Sequence, residues 1–177
     1  PAVEAWVRRF VKATGPLALE MERPWSTVIR VPVGDSEVVW FKHCKTVQSF
    51  EPRLTRELYT RWADRVVRVL AADEERSWLL LADGGTPFGA FGNSPDAWAA
   101  VLPLYAELQI GEIAYAEAHL AAGVPDLRLS VLPAHYADML ARDDVPLEPE
   151  QRERLRRFEP RFAELCAELA GTAGETM

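Results

Sequence analysis

The sequence predicts an α+β fold: a five-stranded antiparallel sheet with one helix inserted after its third strand, then a wholly helical segment. Three observations carry this. Between Leu17 and Asp83, short β-rich runs alternate with turn residues. One helical pattern, about Phe50–Trp62, interrupts them after the third run. Beyond Asp83-Gly84-Gly85-Thr86-Pro87 the β signals stop and helical periodicity takes over.

Taken in order, residues 3–14 carry Val3, Trp6, Val7, Phe10 and Val11 at helical spacing, with Arg8, Arg9 and Lys12 opposite. Thr14-Gly15-Pro16 stops that helix. The first strand is expected over Leu17–Met21, with a turn at Arg23-Pro24-Trp25-Ser26. The second covers Thr27–Val33, closed by Gly34-Asp35-Ser36, and the third Glu37–Lys42. In the inserted helix, Pro52 is tolerated because the first turn has free N–H groups anyway. Val66–Leu70 and Trp78–Leu81 are the last two strands, joined by Asp73-Glu74-Glu75-Arg76. Three helices are then expected, Pro95 to Ala122, Pro133 to Arg142 and Pro149 to Ala170, linked through Gly123–Asp126 and Asp143–Pro146. The domain reading is a first lobe over 1–83, a link over 84–94 and a helical segment over 95–177.

Composition sets the outer limits. The chain has 177 residues, 49% of them hydrophobic, with six tryptophans, enough to bury a core. A formal charge of −7 argues against nonspecific binding to nucleic acid or anionic lipid, while leaving room for a locally positive phosphate pocket. Cys44 and Cys166 lie far apart and form no metal-ligand pattern, which argues against a disulfide framework or structural zinc. No apolar run approaches the roughly 20 residues that span a bilayer. The expected compartment is a reducing cytoplasm, with neither nucleic acid nor membrane as partner.

Lys42 carries the most chemistry. It follows Val38-Val39-Trp40-Phe41, so an ammonium ends a strand that should be largely buried. Either it marks the strand's exposed end, or an anion lies close by, because a lysine is rarely buried without a partner. The next helix offers one. At about 100° per residue from Glu51, Leu54, Leu58 and Trp62 fall within roughly a third of a turn of that carboxylate. Glu51 thus points to the apolar side, whereas Glu57 points away among Arg53, Arg56 and Thr60. A Lys42–Glu51 pair would leave the ammonium aimed at a ligand phosphate.

Five segments together resemble the bacterial aminoglycoside-phosphotransferase-like (APH-like) kinases: Arg23–Pro32, Val39-Trp40-Phe41-Lys42, Phe50-Glu51-Pro52-Arg53-Leu54-Thr55, Trp78–Gly85 and Tyr105-Ala106-Glu107-Leu108-Gln109. The resemblance implies a protein-kinase-like small lobe followed by the truncated helical start of a second lobe. It also implies ATP with Mg2+ as cofactor and a small-molecule hydroxyl as acceptor. Lys42 then resembles the lysine on the α- and β-phosphates, and Glu51 its helix partner. Ser26 and Thr27, with Trp25, resemble the loop that covers the phosphates, or else form an ordinary β-turn. Leu81, Ala82 and Asp83 resemble the hinge that meets the adenine edge, with Gly84-Gly85 leading away; without the resemblance, Asp-Gly-Gly is simply a turn. Tyr105 and Leu108 are expected to pack between lobes, and Gln109 to be a buried hydrogen-bonding residue.

The family's chemistry also needs an aspartate in H-G-D-x-x-x-x-N and a later one for magnesium. No His-Gly-Asp occurs in the sequence. The tail Gly174–Met177 resembles the approach to that loop, so the metal ligands are expected past residue 177 and the chain alone is expected to transfer no phosphate. Self-association through exposed helical surface is the corresponding expectation. His43, His119 and His135 show no metal spacing and are expected on surfaces or helix faces. Arg152, Arg154, Arg156 and Arg157 alternate with Glu150, Glu153 and Glu159, as on a solvated helix face. Two other readings stand beside the enzyme: a non-catalytic kinase-like (pseudokinase) binding module, and an unrelated α+β domain.

Overall fold

The computed structural model describes residues 1–92 and 94–173 and has an α+β fold with one five-stranded antiparallel sheet. The expected resemblance of Gly174–Met177 lies outside the described residues. The chain forms two compact units that divide between Val124 and Pro125, so the expected link over 84–94 falls inside the first.

In the first unit, helix α1 (Ala2–Val7) precedes strands β1 (Ala18–Arg23), β2 (Ser26–Pro32) and β3 (Val38–Cys44). Helix α2 (Glu51–Arg61) follows, then β4 (Val69–Asp73) and β5 (Trp78–Ala82), and the sheet order is β1-β2-β3-β5-β4. Side chains alternate across each strand. Val31, Val39, Phe41 and Leu80 therefore share one face, where Trp6 and Val7 of α1 complete a buried core. Trp6 meets Phe41 and Trp78 edge-on, at centroid separations of 5.9 and 5.6 Å, the favoured aromatic geometry. Lys42, Trp40 and Cys44 consequently occupy the opposite face.

Several element boundaries differ from expectation, three of them with a visible hydrogen-bonding or backbone cause. Helix α1 ends at Val7 rather than near residue 14: the amides of Arg9 and Phe10 bond three residues back, and Thr14 donates to the Pro32 carbonyl at the end of β2. Val11, Ala13 and Leu17 still pack on the core, so the apolar spacing was real but the backbone serves the sheet instead. Strand β4 begins at Val69, three residues later than expected, because Arg65 and Val66 both bond back to the Trp62 carbonyl and prolong the end of α2. The helix expected over residues 95–122 is broken into α3 (Pro95–Glu112), a 3-10 turn at Ile113–Tyr115 and α4 (Ala116–Ala121). Gly123, at φ 91°, ends α4: its amide bonds the Leu120 carbonyl and that of Val124 the His119 carbonyl.

The second unit pairs α5 (Leu132–Ala141) with α6 (Pro149–Ala173). Tyr136 packs on Phe162 and donates its hydroxyl to the Leu155 carbonyl. Arg152 is not merely solvated, as its charge pattern suggested. Its guanidinium gathers the carbonyls of Leu140 and Arg142, which the end of α5 leaves without helical partners, and that of Val145 in the connection to α6. Among the described residues, no helix is long and apolar enough to cross a membrane.

Candidate functional site

Lys42 sits in the middle strand of the sheet, opposite Val28 of β2 on one side and Leu79 of β5 on the other. Its ammonium is ion-paired to the Glu51 carboxylate at the first turn of α2, as the apolar-side projection of Glu51 anticipates. Glu57 lies elsewhere on the helix and pairs with Arg53 at 3.0 Å. The Lys42 and Glu51 side chains keep 22% and 23% of their surface exposed, so the ammonium is fixed in direction yet within reach of a ligand. The second carboxylate oxygen of Glu51 accepts from the Cys44 thiol at 3.4 Å. Burial pushes that thiol up to about 12, the Glu51 charge adding to it against Lys42, so Cys44 stays protonated and unreactive.

The other expected site residues fall around this pair unevenly. Ser26 and Thr27 are not in a loop. The connection is a two-residue turn at Pro24-Trp25, and Ser26 and Thr27 already belong to β2, opposite Cys44 and His43. Ser26 is buried. The turn itself is tied to the end of β3, where the Lys45 amide donates to the Trp25 carbonyl and its ammonium to the Arg23 carbonyl. Leu81 and Ala82 lie in β5 between two strands, and the Ala82 amide donates to Arg68. Backbone outside the ladder begins at Asp83.

Trp40 is the residue the sequence argument passed over. Two positions before Lys42, it must share Lys42's face, and its register partner is Leu81. The indole N–H donates to the Asp83 carboxylate at 3.1 Å, and the same oxygen accepts from the Gly85 amide at 3.2 Å. Gly85 holds φ 81°, which requires glycine's freedom. Asp83 therefore orients a half-buried aromatic ring beside the start of the link. A fixed cation, a held aromatic ring and backbone that has left the sheet suit an anionic ligand with a planar ring. Among the described residues, no group of three or more His, Cys, Asp or Glu side chains is placed to hold a metal ion.

A second polar cluster had no forewarning. Glu112, the last residue of α3, is buried and accepts from Arg61 through both Nε (2.7 Å) and Nη2 (2.6 Å), from Trp62 Nε1 (2.6 Å) and from His119 Nε2 (2.7 Å). Burial would raise this carboxyl, but the hydrogen bonds of Arg61, Trp62 and His119 and the Arg61 charge outweigh it and hold it at about 2. His119, expected on a surface or a helix face, lies on α4 and is buried there, and only its Nε2 has a partner. His135 is exposed and bonds the Asp126 carbonyl. Tyr105 and Gln109 are exposed, not packed or buried as expected, and Leu108 is half-buried.

Gly111 explains how Glu112 reaches its partners. A Cβ there would lie 2.3 Å from the Trp62 ring, so only glycine lets the indole rest on the backbone of α3. Gly111→Ala is expected to destabilise the first unit by about 1–3 kcal/mol through overpacking. All six tryptophans precede residue 125, so urea unfolding followed by tryptophan fluorescence reads that unit alone. No protein-family model and no curated protein matches the chain.

Proposed function

We propose that this chain is the ATP-binding part of a phosphotransferase of the APH-like type, which passes the γ-phosphate of Mg-ATP to a hydroxyl of a small molecule. The observation that supports it is the Lys42–Glu51 pair, a strand ammonium aimed by a helix carboxylate on the half-open face of a five-stranded antiparallel sheet. An ammonium so held gives the α- and β-phosphates a fixed counter-charge without first having to be ordered.

In this reading Trp40 and Leu81, adjacent across β3 and β5, offer the adenine an aromatic and an aliphatic surface. The backbone from Asp83 onward meets its edge. Ser26, opposite Cys44 on Lys42's face of the sheet, lies in the wall of β2 next to the phosphates, whereas Thr27, opposite His43, belongs to the other face and takes no part. Magnesium, when bound with the nucleotide, neutralises the phosphate oxygens, and no described residue is assigned as its ligand. The chain's part is holding and aiming the nucleotide. The aspartates that would orient the acceptor and the metal do not stand in a His-Gly-Asp setting anywhere in its sequence.

Calorimetric titration of ATP and of ADP into the chain tests the reading. Saturable one-site binding is expected, with an ADP-induced rise in the unfolding midpoint. Absence of both heat and a midpoint shift at millimolar nucleotide would remove it.

A further inference from the structure

We propose that Glu112 is a positioning residue for the Lys42 site: it fastens the carboxyl-terminal end of α2 to α3 and α4, and so keeps Glu51, at the opposite end of α2, against Lys42. The effect on nucleotide rests on the function proposed above; the fastening itself does not.

Helix α2 has 11 residues, a stiff rod of about 16 Å. Its two ends are held very differently. At the start, Glu51 meets Lys42 with both side chains more than a fifth exposed, a pair that solvent weakens. At the finish, Arg61 and Trp62 deliver three hydrogen bonds to one buried carboxylate, which His119 of α4 completes. The Arg61 guanidinium also lies over the Tyr115 ring at 4.1 Å. One turn further on, Arg65 donates to Glu107 at 2.5 Å and to the Leu104 carbonyl at 3.1 Å, a second tie to α3. The start is also packed through Pro52, which is fully buried, so release of the far end tilts the rod about that point and shifts Glu51 against Lys42. Glu57, one turn earlier on α2, also acts on the Arg61 charge, but it lies on α2 itself and cannot tie that helix to α3 and α4 as Glu112 does.

Cys44 supplies a readout independent of nucleotide. Its thiol is buried against Glu51, so a displaced α2 exposes it, while buried Cys166 in the second unit serves as an internal reference. Two variants are compared with the unaltered chain: Glu112→Gln, which removes the charge, and the milder Trp62→Phe, which removes one donor and keeps a ring on Gly111. Labelling by a thiol-reactive disulfide and ATP titration are measured in each, and again in a Glu51→Gln background.

The expected result is Cys44 labelled about tenfold faster in Glu112→Gln, with a smaller increase in Trp62→Phe and Cys166 unchanged. ATP affinity should fall about tenfold, and Glu112→Gln should add nothing further once Glu51 is already glutamine. Acceleration at Cys44 no greater than the loss of first-unit stability read by urea unfolding accounts for, no acceleration at Cys44 in either variant, or additive losses of affinity would each overturn the proposal. If the unaltered chain binds no ATP, the function proposed above fails while the labelling still decides the fastening.

Discussion

Lys42→Met is expected to weaken ATP binding by about 10- to 100-fold, the loss of one or two charge-assisted hydrogen bonds worth about 1.5–3 kcal/mol together. Methionine keeps the length and apolar stem of the lysine, so the face shared with Val28 and Leu79 stays filled and only the ammonium is lost. The substitution also leaves Glu51 half-buried without its cation, and that carboxylate would itself repel phosphate. The double variant Lys42→Met with Glu51→Gln separates the two effects. If binding returns to the unaltered level in the double variant, the ammonium was only a neutraliser of Glu51; a loss that persists places it on the phosphates. Glu51→Gln alone should weaken binding less, because the ammonium remains but is aimed less firmly. In a full-length phosphotransferase the same lysine change should lower turnover by orders of magnitude, and near-normal ATP affinity or turnover would take Lys42 out of the site.

This pair was legible in the sequence because each partner breaks a local pattern. A lysine ending Val38-Val39-Trp40-Phe41 and a glutamate on the apolar side of its helix both demand an opposite charge, and they stand only nine residues apart. The Glu112 cluster offered no such handle. Its partners in α2 are 50 and 51 residues away, so no spacing links them, and α3 is apolar on nearly every side, which makes its last charged residue read as an ordinary helix end. Gly111 was the one available signal, a glycine inside a helix that propensity disfavours. Trp40 was hidden differently. The strand alternation that assigns Lys42 to one face assigns Trp40 to the same one, but an aromatic residue in a strand reads as core. The late start of β4 was masked because Val66-Val67 look more strand-like than Ala71-Ala72, which do the pairing with Leu80 and Leu79.

Acid should unfold the first unit through Glu112 more than through any surface carboxylate. The folded carboxyl sits at about 2 against an ordinary value of 4.5. A group lowered on folding stabilises the fold fully above its unfolded value, and that contribution disappears as pH falls from about 4.5 towards 2. The gap, at about 1.36 kcal/mol per pH unit, is about 3 kcal/mol, a large share of the 5–15 kcal/mol typical of a domain. Glu112→Gln should therefore be strongly destabilising near neutral pH, where it leaves the half-buried Arg61 without its main counter-charge, and progressively less so in acid. Urea unfolding followed by tryptophan fluorescence at several pH values reads the difference between the two proteins. It should shrink from about 3 kcal/mol at pH 6 to near zero at pH 2. Exposed pairs such as Arg142–Asp144 are common to both proteins and cancel in that difference. A gap that stays constant across this range would mean that Glu112 holds α2 by shape and hydrogen bonding alone, without its charge.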